Sequence, residues 1–196
     1  MRCRRMRLTL AAVAALVQVA MPLAAQVPGA DQQIAGAVSA APEGLRAKAT
    51  VIGYRNYHRM ATLREGSNEM ICLADDPSES SWHVACYHRD LEPFMTRGRA
   101  LNAAGASRSE IDSVRLAEIQ SGAIKLPDGP RALFNLYAPG DSVDAATGLA
   151  HGTAAMEVVY IPYATTETTG LPARPGNSLP WIMYPGKPWA HIMIMH

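Results

Sequence analysis

The chain has 196 residues, 48% of them apolar, and 18 basic residues against 17 acidic ones. That composition suits one domain with a buried core and excludes a disordered polar chain; no internal repeat suggests an array. Beyond the first seven residues the lysines and arginines are scattered singly, with Arg97 and Arg99 the one tight pair, so the concentrated basic face of a nucleic-acid partner is excluded.

Arg2, Arg4, Arg5 and Arg7 precede an uncharged run from Leu8 to Ala30, and the first acid is Asp31. Gln18 and Pro22 interrupt the apolar stretch well short of the ~20 residues of a membrane span. This is the pattern of a secretory signal peptide over residues 1–25, with Ala24 and Ala25 as the small residues before cleavage. Cys3 lies in the charged start, so no cysteine follows the apolar run to carry a lipid. The flanks of Arg4 and Arg5, Cys3 and Met6, match a twin-arginine signal poorly, which favours the general secretory route. Loss of the four arginines leaves 14 basic residues against 17 acids, a net charge of −3. The expectation is a bacterial protein exported to the periplasm or the medium, without a stable membrane anchor.

Residues 26–45 are rich in Ala, Gly, Gln and Pro, with Ile34 and Val38 four apart, and read as a flexible leader or one short, weak helix. The expected single domain covers residues 46–196. Strand-like segments follow at 49–54, 59–63, 69–74 and 82–87, with turn-forming residues at 64–68 and 75–81, and read as a meander. Residues 90–101 carry Leu91, Phe94 and Met95 at helical spacing, interrupted by Gly98. A second helix is expected over 108–121, opened by the capping box Ser107/Glu110 and stopped at Gly122. Four further strands are expected at 132–137, 155–163, 181–184 and 191–195. Strands, then about two helices, then strands predict an α+β domain with an antiparallel-rich sheet.

Cys72 and Cys86 remain after cleavage, in a compartment where thiols oxidise. A hairpin centred on Glu79 sets Asp76 against Trp82, Ala74 against Val84 and Cys72 against Cys86, close enough for a bridge. A structural staple is the ordinary reading. A redox pair would need C-x-x-C spacing or a thiolate-stabilising partner, and only His83 and His88 are candidates.

Two similar triplets stand at predicted strand ends: Tyr57, His58 and Arg59, with Tyr54 nearby, and Tyr87, His88 and Arg89. On adjacent strands they would join an acid–base group to an anion-binding group in one cleft; otherwise they are surface residues. In the last strand His191, Met193 and Met195 share one face. Imidazole and thioether suit Cu(I), yet the same alternation, with Ile192 and Ile194 opposite, describes a closing core strand. Asp75, Asp76 and Glu79 lack the spacing of a calcium loop and read as a solvated turn. Gly140-Asp141-Ser142 lacks the context of an esterase nucleophile, and His58, His83, His88 and His151 lack zinc spacing. The function expected is a small binding or interaction module for a small molecule or an envelope protein, with no cofactor. An enzyme built on the Tyr/His/Arg patches and a Cu(I)-binding protein built on the last strand are the alternatives.

Overall fold

The computed structural model describes residues 27–57, 59–176 and 180–195. Residues 1–25, read as a signal peptide, lie outside the described residues, as do His58 and His196. The alternating and continuous apolar segments form one eight-stranded sheet: β1 (Thr50–Asn56), β2 (Arg59–Arg64), β3 (Met70–Leu73), β4 (Ser81–His88), β5 (Arg131–Pro139), β6 (Ala154–Tyr160), β7 (Trp181–Met183) and β8 (His191–Met195). Their order is β2-β1-β3-β4-β5-β6-β8-β7. Every neighbouring pair is antiparallel except β1 and β3, so the protein is α+β with a mostly antiparallel sheet.

The parallel pair departs from a simple meander. Met70, Ile71 and Cys72 are buried in succession, as a strand covered on both faces must be, whereas β2 carries Arg59 and Arg64 at its ends and suits an edge. The chain therefore returns from β2 across the start of β1 before entering β3. Gly66 makes that crossing: the amides of Ser67 and Asn68 donate to the Lys48 carbonyl at 2.8 and 3.1 Å, and a Cβ on Gly66 would stand 2.2 Å from the Thr50 nitrogen.

The helices are α1 (Ala30–Val38), α2 (Glu43–Arg46), α3 (Glu92–Ala103), α4 (Arg108–Gln120) and α5 (Thr166–Thr169). None is long and apolar enough to cross a membrane. The segment read as a flexible leader or one short, weak helix carries α1, docked on the sheet. It packs Ala37, Ile34 and Val38 against the core, and Gly36 allows the close approach: a Cβ there would meet the Gly148 carbonyl at 2.6 Å. Gln33, also buried, accepts from the Tyr54 amide at 2.7 Å and donates to the Tyr54 carbonyl at 2.9 Å.

Under α1, Ala37, Val51, Cys72 and Cys86 form one fully buried cluster. Cys72 and Cys86 are cross-strand partners and form a disulfide, the pairing expected from the hairpin register. The other face of the sheet packs Ile71, Tyr87, Leu133, Val158, Trp181 and Met193. There α3 and α4 cover it. Gly98, a weak point in the sequence, lets Arg115 of α4 close on α3: a Cβ at 98 would be 2.8 Å from Arg115 Nη1, and the guanidinium stacks 3.8 Å from the Phe94 ring centre. The Ser107/Glu110 capping box opens α4 as expected.

The last strand turns its histidine–methionine face inward. His191 and Met193 are buried, Ile192 and Ile194 are half-buried, and Met195 is exposed. Burial falls on that face because His191 lies opposite Tyr160, and Met193 opposite Val158 and Trp181.

Candidate ligand-binding cleft

Where β3 ends at Leu73, the loop 74–80 swings away from the sheet before β4 begins. A cleft of about 600 Å³ opens there against the C-terminal half of α3, within the ~300–1,000 Å³ of small-molecule sites. Its principal groups are Tyr54 of β1, Asp75 and Asp76 of the loop, His83 of β4, Arg99 of α3 and Tyr137 of β5.

The two loop carboxylates are held by hydrogen bonds. Asp76 Oδ1 accepts from the amide and hydroxyl of Ser78 at 2.9 and 2.7 Å, while Oδ2 accepts from the Tyr54 hydroxyl at 3.0 Å. Asp75 Oδ1 accepts from the His83 amide at 2.8 Å. Burial, reinforced by the charges of Asp76 and Glu79 and opposed by the His83 amide, pushes the Asp75 carboxyl up to about 6. The Tyr54 phenol is raised by burial and by its bond to Asp76, so it stays a donor at neutral pH.

Alternation along β4 sends Trp82 and Val84 to the α1 side and His83 to the cleft. The His83 ring stacks on Tyr137, its partner across β5, with centroids 4.4 Å apart. Its Nε2 lies 3.0 Å from Asn135 Oδ1, and Asn135 Nδ2 donates to the Met156 carbonyl at 3.3 Å. That orientation makes Asn135 Oδ1 the acceptor and His83 Nε2 the donor; in the neutral ring Nδ1 then carries the lone pair.

The wall towards α3 is a closed polar triad. Arg99 donates to Glu92 Oε1 at 2.6 Å and to the Tyr87 hydroxyl at 2.8 Å, and that hydroxyl donates to Glu92 Oε2. Arg99 is thereby neutralised by Glu92. Asp75, Asp76 and Glu79 line the same cleft.

Among the described residues of the two triplets, Tyr57 and Arg59 stand apart from Tyr87, His88 and Arg89. Tyr57 lines the cleft and Arg59 begins the exposed edge strand, but Tyr87, His88 and Arg89 end β4. Because β3 is parallel to β1 and antiparallel to β4, the end of β4 lies beside the start of β1. Arg89 accordingly reaches Thr50 Oγ1 at 3.4 Å, donates to the Asn68 carbonyl at 3.1 Å and pairs with Glu69 at 3.7 Å. His88 Nδ1 accepts from the Asp90 amide at 3.2 Å and caps the 3-10 turn Arg89–Leu91. Tyr87 is buried beneath Arg99.

Sequence reasoning missed Asp75, Asp76, His83 and Tyr137 as a group. Two signals pointed to them: a pair of carboxylates directly after a fully apolar strand, and a histidine alternating with the core residues of β4.

At the far side of the sheet, His191 Nδ1 donates to the Trp189 carbonyl at 2.8 Å, and its ring packs on Tyr160 and Tyr184. Burial lowers its pKa and favours the neutral ring. Met183 lies opposite His191 in β7, and Met156 opposite Met195 in β6. Among the described residues no three His, Cys, Asp or Glu side chains gather as a metal cluster. Comparison with protein-family models, with curated proteins and with solved structures gives no match to this chain.

Proposed function

We propose that this protein is an exported binding domain that holds a small molecule in the cleft between the 74–80 loop, β4, β5 and α3. One observation carries the reading: a cavity of about 600 Å³ in which two carboxylates, a phenol and a stacked histidine–tyrosine pair are each fixed by neighbours before any ligand arrives. Side chains already ordered lose little entropy on binding. Export is supported by the arginine-rich, short apolar start and by the Cys72–Cys86 bridge, which persists in an oxidising compartment.

The experiment is a ligand-observed NMR screen of mixed small molecules against the exported protein and a Tyr137→Ala variant, with intact mass recorded first. The expected result is a chain starting at Gln26 and ligands that bind the wild type and lose binding in the variant. Ligands indifferent to Tyr137→Ala, or no ligands at all, would overturn the cleft; a chain retaining Met1 would overturn export.

A second reading, catalysis, rests on Asp75. A carboxyl near 6 beside a histidine is equipped for proton transfer at neutral pH. Turnover of a bound ligand by the wild type but not by Asp75→Asn would favour it.

A further inference from the structure

We infer that the cleft selects an organic cation, an ammonium group on a compact apolar or aromatic body, seated between the carboxylates of Asp75 and Asp76 and the ring of Tyr137. This rests on the binding reading above and specifies its ligand.

Charge is the first argument. Among the described lining residues, Asp75, Asp76 and Glu79 stand with a single arginine, and Arg99 is already bonded to Glu92 and Tyr87. An anionic ligand would face three carboxylates and a guanidinium with its charge already spent. A cation gains from the same field, and more so in a partly desolvated site than in water.

The shape of the charge is the second. The acids line the cleft without converging as a metal cluster, among the described residues, so the negative potential is spread over a cavity far larger than a metal ion. Spread carboxylates with aromatic walls match a bulky ammonium group. Tyr54, Tyr57 and Tyr137 supply ring faces for cation–π contact, and Leu73, Ala85 and Met60 supply apolar surface for the body. Tyr137 is held by His83 yet stays 38% exposed, a rigid platform still open to a ligand.

Proton linkage is the third. A desolvated carboxyl is uncomfortable as an anion, and an incoming ammonium relieves that cost. Among the described residues, the titratable and charged groups that share the cleft with Asp75 are Asp76 and Glu79 of its own loop, Tyr54 of β1, Tyr57 just after it, His83 of β4, Tyr137 of β5 and Arg99 of α3. Cation affinity therefore rises as Asp75 ionises.

The test uses size-matched trios of ammonium, hydroxyl and carboxylate compounds on phenethyl, cyclohexyl and butyl bodies. Each is titrated calorimetrically into the exported protein at pH 5 and pH 7.5. The expected result is one site that takes the ammonium member of at least one trio about tenfold more tightly than its alcohol, since a charged hydrogen bond is worth at least that factor. Affinity should rise about tenfold from pH 5 to 7.5, following ionisation of Asp75 near 6. Asp75→Asn with Asp76→Asn should remove the preference; Glu79→Gln, at an exposed position that leaves the fold alone, should weaken ammonium binding about two- to threefold. Alcohols or carboxylates that bind as well as the amines, and lose binding in Tyr137→Ala, would end the cation inference and leave the cleft standing. Binding of no compound, or binding untouched by Tyr137→Ala, would end both.

Discussion

His83 and Tyr137 are direct partners across β4 and β5, and their rings lie parallel, 1° apart in plane and 4.4 Å between centroids. The stack joins the cleft's platform to the polar pair His83–Asn135 behind it. A double-mutant cycle with alanine at both positions should give a coupling of about 0.5–1.5 kcal/mol in urea unfolding. His83→Ala should cost more than Tyr137→Ala, because it leaves Asn135 Oδ1 without its donor.

The disulfide closes the loop that carries Asp75 and Asp76. With its ends 14 positions apart in sequence, opening it should cost about 3 kcal/mol in denaturant unfolding. Both cysteines are fully buried under α1, so dithiothreitol should leave the native protein oxidised until partial unfolding exposes the bridge. Thiols that react at once in native conditions would contradict this packing.

Asp75 makes stability depend on pH in a stated direction. Its carboxyl sits near 6 in the folded chain against 3.8 ordinarily, so the folded state binds the proton more tightly between those values. The contribution is complete below 3.8 and lost as pH rises through 6. Asp75→Asn, whose amide oxygen can still accept from His83, should therefore gain stability relative to wild type from pH 4.5 to 7.5. Solvent screening of this half-buried group holds the gain to about 1 kcal/mol. A difference that shrinks with rising pH would show the sign to be wrong.

Gly66 carries the return loop across β1. Gly66→Ala puts a methyl against the backbone of residues 48–50 and should cost about 3 kcal/mol or more, or prevent folding. Gly44→Ala, in α2 with nothing within 4 Å of the new atom, should be neutral or stabilising by up to about 1 kcal/mol. Thermal unfolding of the pair, scored by circular dichroism, separates a steric requirement from a general intolerance of alanine.

The last strand offers a metal test with a structural counterpart. Met193 packs on Trp181 and Val158, so Met193→Ala should cost about 2–4 kcal/mol of stability. Cu(I) titrated under reducing conditions should leave the midpoint of unfolding unchanged. Stoichiometric binding lost in His191→Ala with Met193→Leu would instead make copper handling the leading function, with Met183 across from His191 as a further thioether.

Local patterns in the sequence determined the elements and the nearest pairings. The Glu79-centred hairpin set Cys72 opposite Cys86 because side chains repeat every second residue and a short loop admits one register. The Ser107/Glu110 box opened α4 because its bonds close within four residues. Tertiary structure decided what those elements meet. Whether β3 lies beyond β2 or beside β1 depends on the crossing at Gly66, a contact between segments that carry no mutual signal. That one choice sends Tyr87–His88–Arg89 away from Tyr57 and brings Tyr54 to Asp76. The cleft joins residues 54, 75, 83, 99 and 137, which converge through strand order and the docking of α3. Burial and neighbouring charge in that assembled space, rather than the side chain alone, are what raise Asp75 towards neutrality.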